Sequence, residues 1–166
     1  MNSPQCGFSL GQAAGVVVPA GLACAVADIS YVVGLVLHAG GSPSRMLQGI
    51  ASSVLGRATF DGGAATAALG LALHTGVSLG AATLFYAACR LLPIVRRRWL
   101  IGGVVFGALF YLLMQLAILP LTRLPPHSFP PPNWVPIFIA HITVVGPVIA
   151  FVTQRRMGRL AASCPS

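Results

Sequence analysis

The sequence predicts an all-α integral membrane protein, a four-helix bundle with both termini on the cytoplasmic side. Three observations carry this. Four apolar runs reach spanning length, only 7% of the 166 residues are charged against 56% hydrophobic with a mean hydropathy of +0.85, and the arginines gather at the ends of the runs. A chain so poor in polar side chains cannot cover a water-soluble domain of its size, so lipid is the solvent for much of it. Segments in lipid satisfy their backbone groups internally, which makes the runs helices.

The first run, Ala13 to Leu37, is long enough for the roughly 30 Å of hydrocarbon in a bilayer. Ala25-Val26-Ala27 inside it looks like a signal-peptidase site, but no Lys or Arg precedes it and the run continues to Leu37, so it reads as a span. Next comes a short helix over 43–56, with Ser42 as cap, Pro43 in the first turn, and Met46, Leu47, Ile50, Val54 and Leu55 at helical spacing until Gly56. It is expected either to lie in the interface on the outer surface or to plug the outer end of the bundle.

The second run, Gly62 to Cys89, carries Gly63, Thr66, Gly70, His74 and Ser78 on one stripe, and the third, Leu100 to Leu119, carries Gly103, Gly107, Tyr111 and Gln115. Gly21, Ala25 and Asp28 form the corresponding stripe of the first run. Small side chains permit close backbone approach, so these stripes should face other helices. Seven prolines between Pro120 and Pro136 predict an extended, semi-rigid connection to the fourth run, Val135 to Val152. Trp99 and Trp134 are expected as interfacial anchors at opposite headgroup levels. There is no internal repeat, and residues 1–166 read as a single membrane domain.

Orientation follows from the arginines, which supply all the basic side chains. Arg90, Arg96, Arg97 and Arg98 between the second and third runs and Arg155, Arg156 and Arg159 after the fourth total seven, against Arg45, Arg57 and Arg123 on the other side. The seven-arginine side is therefore cytoplasmic. The net charge of +8 points to anionic lipid rather than nucleic acid, because the bases flank apolar runs. Cys6, Cys24, Cys89 and Cys164 form no zinc-spaced cluster and, with cytoplasmic tails, no disulfide frame, so no metal is expected.

An Asp near a helix centre costs on the order of 3 kcal/mol to insert, so it must be protonated or paired. Counted at 1.5 Å per residue from the outer ends, Asp28 lies roughly 14 Å deep and His74 roughly 14 to 18 Å, while Gln115 and His141 both lie roughly 7 to 8 Å deep. Two intramembrane polar pairs are expected, Asp28 with His74 and Gln115 with His141. They act either as hydrogen-bonded glue or as a functional site. Asp61 sits at the start of the second run, where a helix N-terminus favours an acid.

Gly76-Val77-Ser78-Leu79-Gly80 matches the hydrolase pattern G-x-S-x-G, but it lies mid-helix without the strand-to-helix turn, and counted depth separates Ser78 from His141. No enzymatic activity is expected. His74 and His141 could in principle ligate haem, with roughly 10 Å of counted depth between them as the objection. Nucleotide-binding fingerprints are missing from the sequence.

The order of an acid late in the first helix at Asp28, the Pro-Ser-Arg element at 43–45, a central histidine at His74 and Ala140-His141 late in the chain resembles the YagU-like family of bacterial inner-membrane proteins. That resemblance implies a bacterial inner membrane and a link to acid tolerance, with no activity attached. The function expected is that of a small accessory or structural membrane protein, surrounded by lipid and associated with a second copy or a membrane-protein partner. The alternatives are a proton-linked or small-solute permeation unit using Asp28 and His74, and a membrane haem-binding protein.

Overall fold

The computed structural model describes residues 10–125, 129–132 and 134–162. Among them the protein is helical without strands, and four helices are long and apolar enough to cross a membrane: Leu10–His38, Gly63–Leu91, Trp99–Leu121 and Trp134–Leu160. Cys6, Cys164 and part of the proline-rich connection lie outside the described residues.

The first of these helices, α1 (Leu10–His38), ends in a turn through Gly40 at φ 71°. Helix α2 (Pro43–Leu55) starts where the sequence signals it: the Ser42 hydroxyl accepts a hydrogen bond from the Arg45 amide at 3.4 Å, and Pro43 occupies the first turn. Gly56 stops it by adopting φ 72°, a conformation that a residue with a side chain avoids. A 3₁₀ turn, Gly56–Asp61, leads into α3 (Gly63–Leu91), whose N-terminus has no side-chain cap, so Asp61 does not serve there as one.

Short α4 (Pro93–Arg97) carries the chain into α5 (Trp99–Leu113). Helix α5 continues through a π turn, Met114–Ile118, and a 3₁₀ turn, Leu119–Leu121. The return crossing is α6 (Trp134–Ala140), a second π turn at His141–Val145, and α7 (Gly146–Ala162). Helix α7 extends beyond the apolar limit expected at Val152, because Gln154, Arg155, Arg156 and Met157 are good helix formers.

Packing follows the small residues, though not always between spanning helices. A methyl group on Gly70 would run into the backbone of Leu47, so Gly70 admits α2 against α3. Gln48, 5% exposed, reinforces that contact by donating to the Gly63 carbonyl at 3.0 Å and to the Thr66 hydroxyl at 3.3 Å. Helix α2 is thus docked on the bundle. Gly103 faces Gly146 and Ala150, and Gly107 faces the His141 carbonyl, which lets α5 and the α6–α7 helix approach at backbone distance. Gly76 and Gly80 face open space, so the Gly76-x-x-x-Gly80 pair meets no other helix among the described residues.

The core is built at the arginine-rich half from Ala20 and Cys24 of α1, Ala81, Ala82, Phe85 and Cys89 of α3, Phe110 of α5, and Val145, Ile149 and Ala150 of the returning helix. Outward-facing Val26, Ile101 and Leu109 are each more than half exposed, the pattern of a protein whose solvent is hydrocarbon. At the opposite end, the Arg123 amide donates to the Ser53 carbonyl at 2.8 Å, tying the proline-rich connection to α2.

Candidate functional site

Above the packed core the helices part around a cavity of ≈ 430 Å³. Most of its wall is apolar, including Phe110, Met114 and Ile118. Into it come Asp28 and Cys24 from α1, His74 and Ser78 from α3, and His141 from the returning helix. Helix α2 and the chain after α5 close its far end, with Met46, Ile50, Ser53, Thr122 and Leu124 in the lining.

Asp28 and His74 face each other with Oδ2 to Nε2 at 3.8 Å, both side chains mostly buried. That separation exceeds a hydrogen bond. The same Nε2 lies 3.2 Å from the Ala25 carbonyl, which can only accept, so the Nε2 proton is donated to the α1 backbone one turn before Asp28. His74 therefore ties α1 to α3 and keeps its charge-bearing ring beside the carboxylate.

His141 is fixed differently. Its Nδ1 lies 2.8 Å from the Ile137 carbonyl of its own helix, to which it donates, and its ring packs edge-on to Tyr111 at 5.4 Å. His141 shares the cavity wall with Asp28 and His74, and Gln115 is not among the residues that line it. The Ser78 hydroxyl, 3.0 Å from the His74 carbonyl, donates to its own helix.

The wall on this side is shaped by a local feature of the two helices. Gln115 and His141 both sit in π turns, where the helix takes an extra residue and the side-chain phase shifts. Each π turn is followed two residues later by a proline, Pro120 after Ile118 and Pro147 after Val145. A proline has no N–H to give the residue four positions back and its ring collides with that residue's carbonyl. Those residues, Leu116 and Thr143, are the centres of the two π turns. Met114, Ile118, His141 and Val145, the first and last residues of the turns, all line the cavity. Proline spacing was the signal available in the sequence; a uniform helical count does not carry it. The α2 wall was also legible, since Met46, Ile50 and Ser53 recur on one face.

No group of three His, Cys, Asp or Glu side chains among the described residues has the geometry to hold a metal ion. Trp99 and Trp134 begin α5 and α6 at opposite ends of the bundle, Trp99 beside Phe151 at 5.9 Å and Trp134 beside Phe138 at 6.0 Å. No protein-family model, curated protein or solved structure matches the chain.

Proposed function

We propose that the protein is a proton-linked unit for a small, largely apolar solute in a bacterial inner membrane, with Asp28 and His74 exchanging the proton. The observation that carries this reading is the convergence of one carboxyl and two imidazoles, from three different helices, on a single cavity whose wall is mostly apolar. Its volume of ≈ 430 Å³ falls within the range of small-molecule sites. Ionisable groups held inside a membrane domain are costly unless they serve a pathway or pair with one another. An imidazole has one nitrogen that donates a proton and one that accepts, so His74 beside Asp28 offers the carboxyl an exchange partner.

Phe85, Phe110 and Ile149 fill the bundle below the cavity, so the site is a pit between the packed core and the α2 cap. A solute held there meets the proton-exchanging pair before it meets the packed core. The seven-to-three arginine bias supports a pit in the half of the bundle away from the cytoplasm, with both termini cytoplasmic. The resemblance to YagU-like proteins supports the same membrane.

A structural or accessory role is the second reading. It is favoured by the His74 bond to the Ala25 carbonyl, which fastens two helices whatever the pair does with protons. Haem ligation is less well supported, because His74 Nε2 would first have to release that carbonyl. No covalent step is assigned to Ser78, whose hydroxyl is engaged within α3.

Proton uptake into liposomes containing the purified protein separates the readings. The native chain should carry protons down an imposed pH gradient, and Asp28→Asn should abolish that flux while eluting as a folded species of unchanged size. Flux unchanged in a folded Asp28→Asn protein overturns the proposal, and loss of folding in both Asp28→Asn and His74→Ala assigns the pair to structure.

A further inference from the structure

The arginine-rich end carries a second concavity, unrelated to the proton pit. One face of α7 presents Phe151, Gln154, Arg155, Gly158 and Arg159, and Trp99 at the start of α5 forms the opposite wall of a groove of ≈ 490 Å³. The spacing of these α7 residues is that of a single helical face. Along that face the chemistry is graded: the aromatic rings of Phe151 and Trp99 come first, an amide and a guanidinium next, and a second guanidinium last. At 1.5 Å per residue the gradient from Phe151 to Arg159 covers roughly 12 Å, enough to start within the acyl region and reach across the headgroup layer of one leaflet.

The charge in this groove has no acidic counterpart in the surrounding chain. Asp28 and Asp61 are the only acidic side chains of the sequence; Asp28 lines the pit and Asp61 precedes α3 at the other end of the bundle. Arg155 is stacked over the Phe151 ring at 4.9 Å, which holds its planar donor fork in place at the groove. Gly158 contributes the room: a methyl group added there meets no atom within 4 Å, so the space between Arg155 and Arg159 is open.

We infer that this groove is a binding site for one anionic phospholipid, its phosphodiester held by Arg155 and Arg159 and its acyl chains laid against Phe151 and Trp99. A basic concavity between helices at the membrane edge selects anionic headgroups, and the graded face matches an amphipathic molecule better than it matches a soluble anion. Each arginine near the surface contributes about a fivefold preference, so two predict on the order of tenfold or more for phosphatidylglycerol over phosphatidylcholine.

Native mass spectrometry of the full chain in detergent, titrated with either lipid, reads this directly. The native protein should retain one phosphatidylglycerol at least about tenfold better than phosphatidylcholine. Arg155→Gln with Arg159→Gln should erase the preference, and Arg57→Gln with Arg123→Gln should leave it intact. Gly158→Leu changes no charge but fills the groove, and it should lose the bound lipid as well. Equal retention of both lipids by the native chain overturns the inference. So does a Gly158→Leu protein that holds phosphatidylglycerol as well as the native one, since charge alone would then be acting diffusely. Displacement of the lipid by an equal concentration of inorganic phosphate would assign the arginines to a soluble anion and overturn it equally.

Discussion

Glycines that look alike in the sequence have opposite surroundings in the bundle. Gly107 lies against the backbone at His141, where nothing flexible can yield, while Gly76 faces open space. Gly107→Ala should therefore lower the thermal stability of the purified protein by about 1 to 3 kcal/mol through overpacking. Gly76→Ala should leave it within about 1 kcal/mol, on the favourable side through helix propensity. Comparing the two melting curves in one detergent checks the pair. The same scale shows what a residue count can and cannot reveal. Asp28 and His74 are level when counted in uniform helical rise, and their side chains stand 3.8 Å apart. His141 is counted shallower, yet it joins them at one cavity, because the cavity runs lengthwise in the bundle, with lining from Cys24 to Met46 and Leu124.

Among the elements, apolar run length and arginine position made the four crossings legible, and Ser42, Pro43 and Gly56 marked the ends of α2. Less legible was what α2 does. Its apolar spacing fits a membrane surface or a bundle contact equally well, and what the structure adds is the contact with α3 through the Gly70 notch and the Gln48 bonds. The fourth helix runs on past the apolar limit at Val152, because apolarity tracks the hydrocarbon whereas the backbone ladder follows helix propensity. The π turns yield the sharpest prediction at this scale. Pro147→Ala restores the N–H that Thr143 lacks, so the turn should relax to α-helix and rotate His141 away from the pit. Stability should rise, by up to about 3 kcal/mol on helix propensity, while proton flux in liposomes falls. A variant that gains stability and keeps its flux would remove His141 from the working site.

For the whole molecule, charge is the organising asymmetry. Seven arginines lie at one end, and both acids lie away from them. With such a distribution, reporter fusions at residue 1 and residue 166 should both be active in the cytoplasm, and a fusion within 120–125 should be active outside it. Reversing Arg96, Arg97 and Arg98 to Glu should weaken or invert that pattern.

The glycine contacts between α5 and the returning helix bear on movement as well as packing. Gly103 and Gly107 clamp the two rods near their middle, and the stretch from Gly107 to Ile118 projects roughly 16 Å past the clamp. Such a joint is a fulcrum: a small rocking there is levered into a wider swing of the arms beyond it, with the Tyr111 packing on Phe138 and His141 as the restraint. Motion in this protein would then be greatest at the pit and least beside the lipid groove, so a cross-link between the arms should arrest solute handling and spare the lipid.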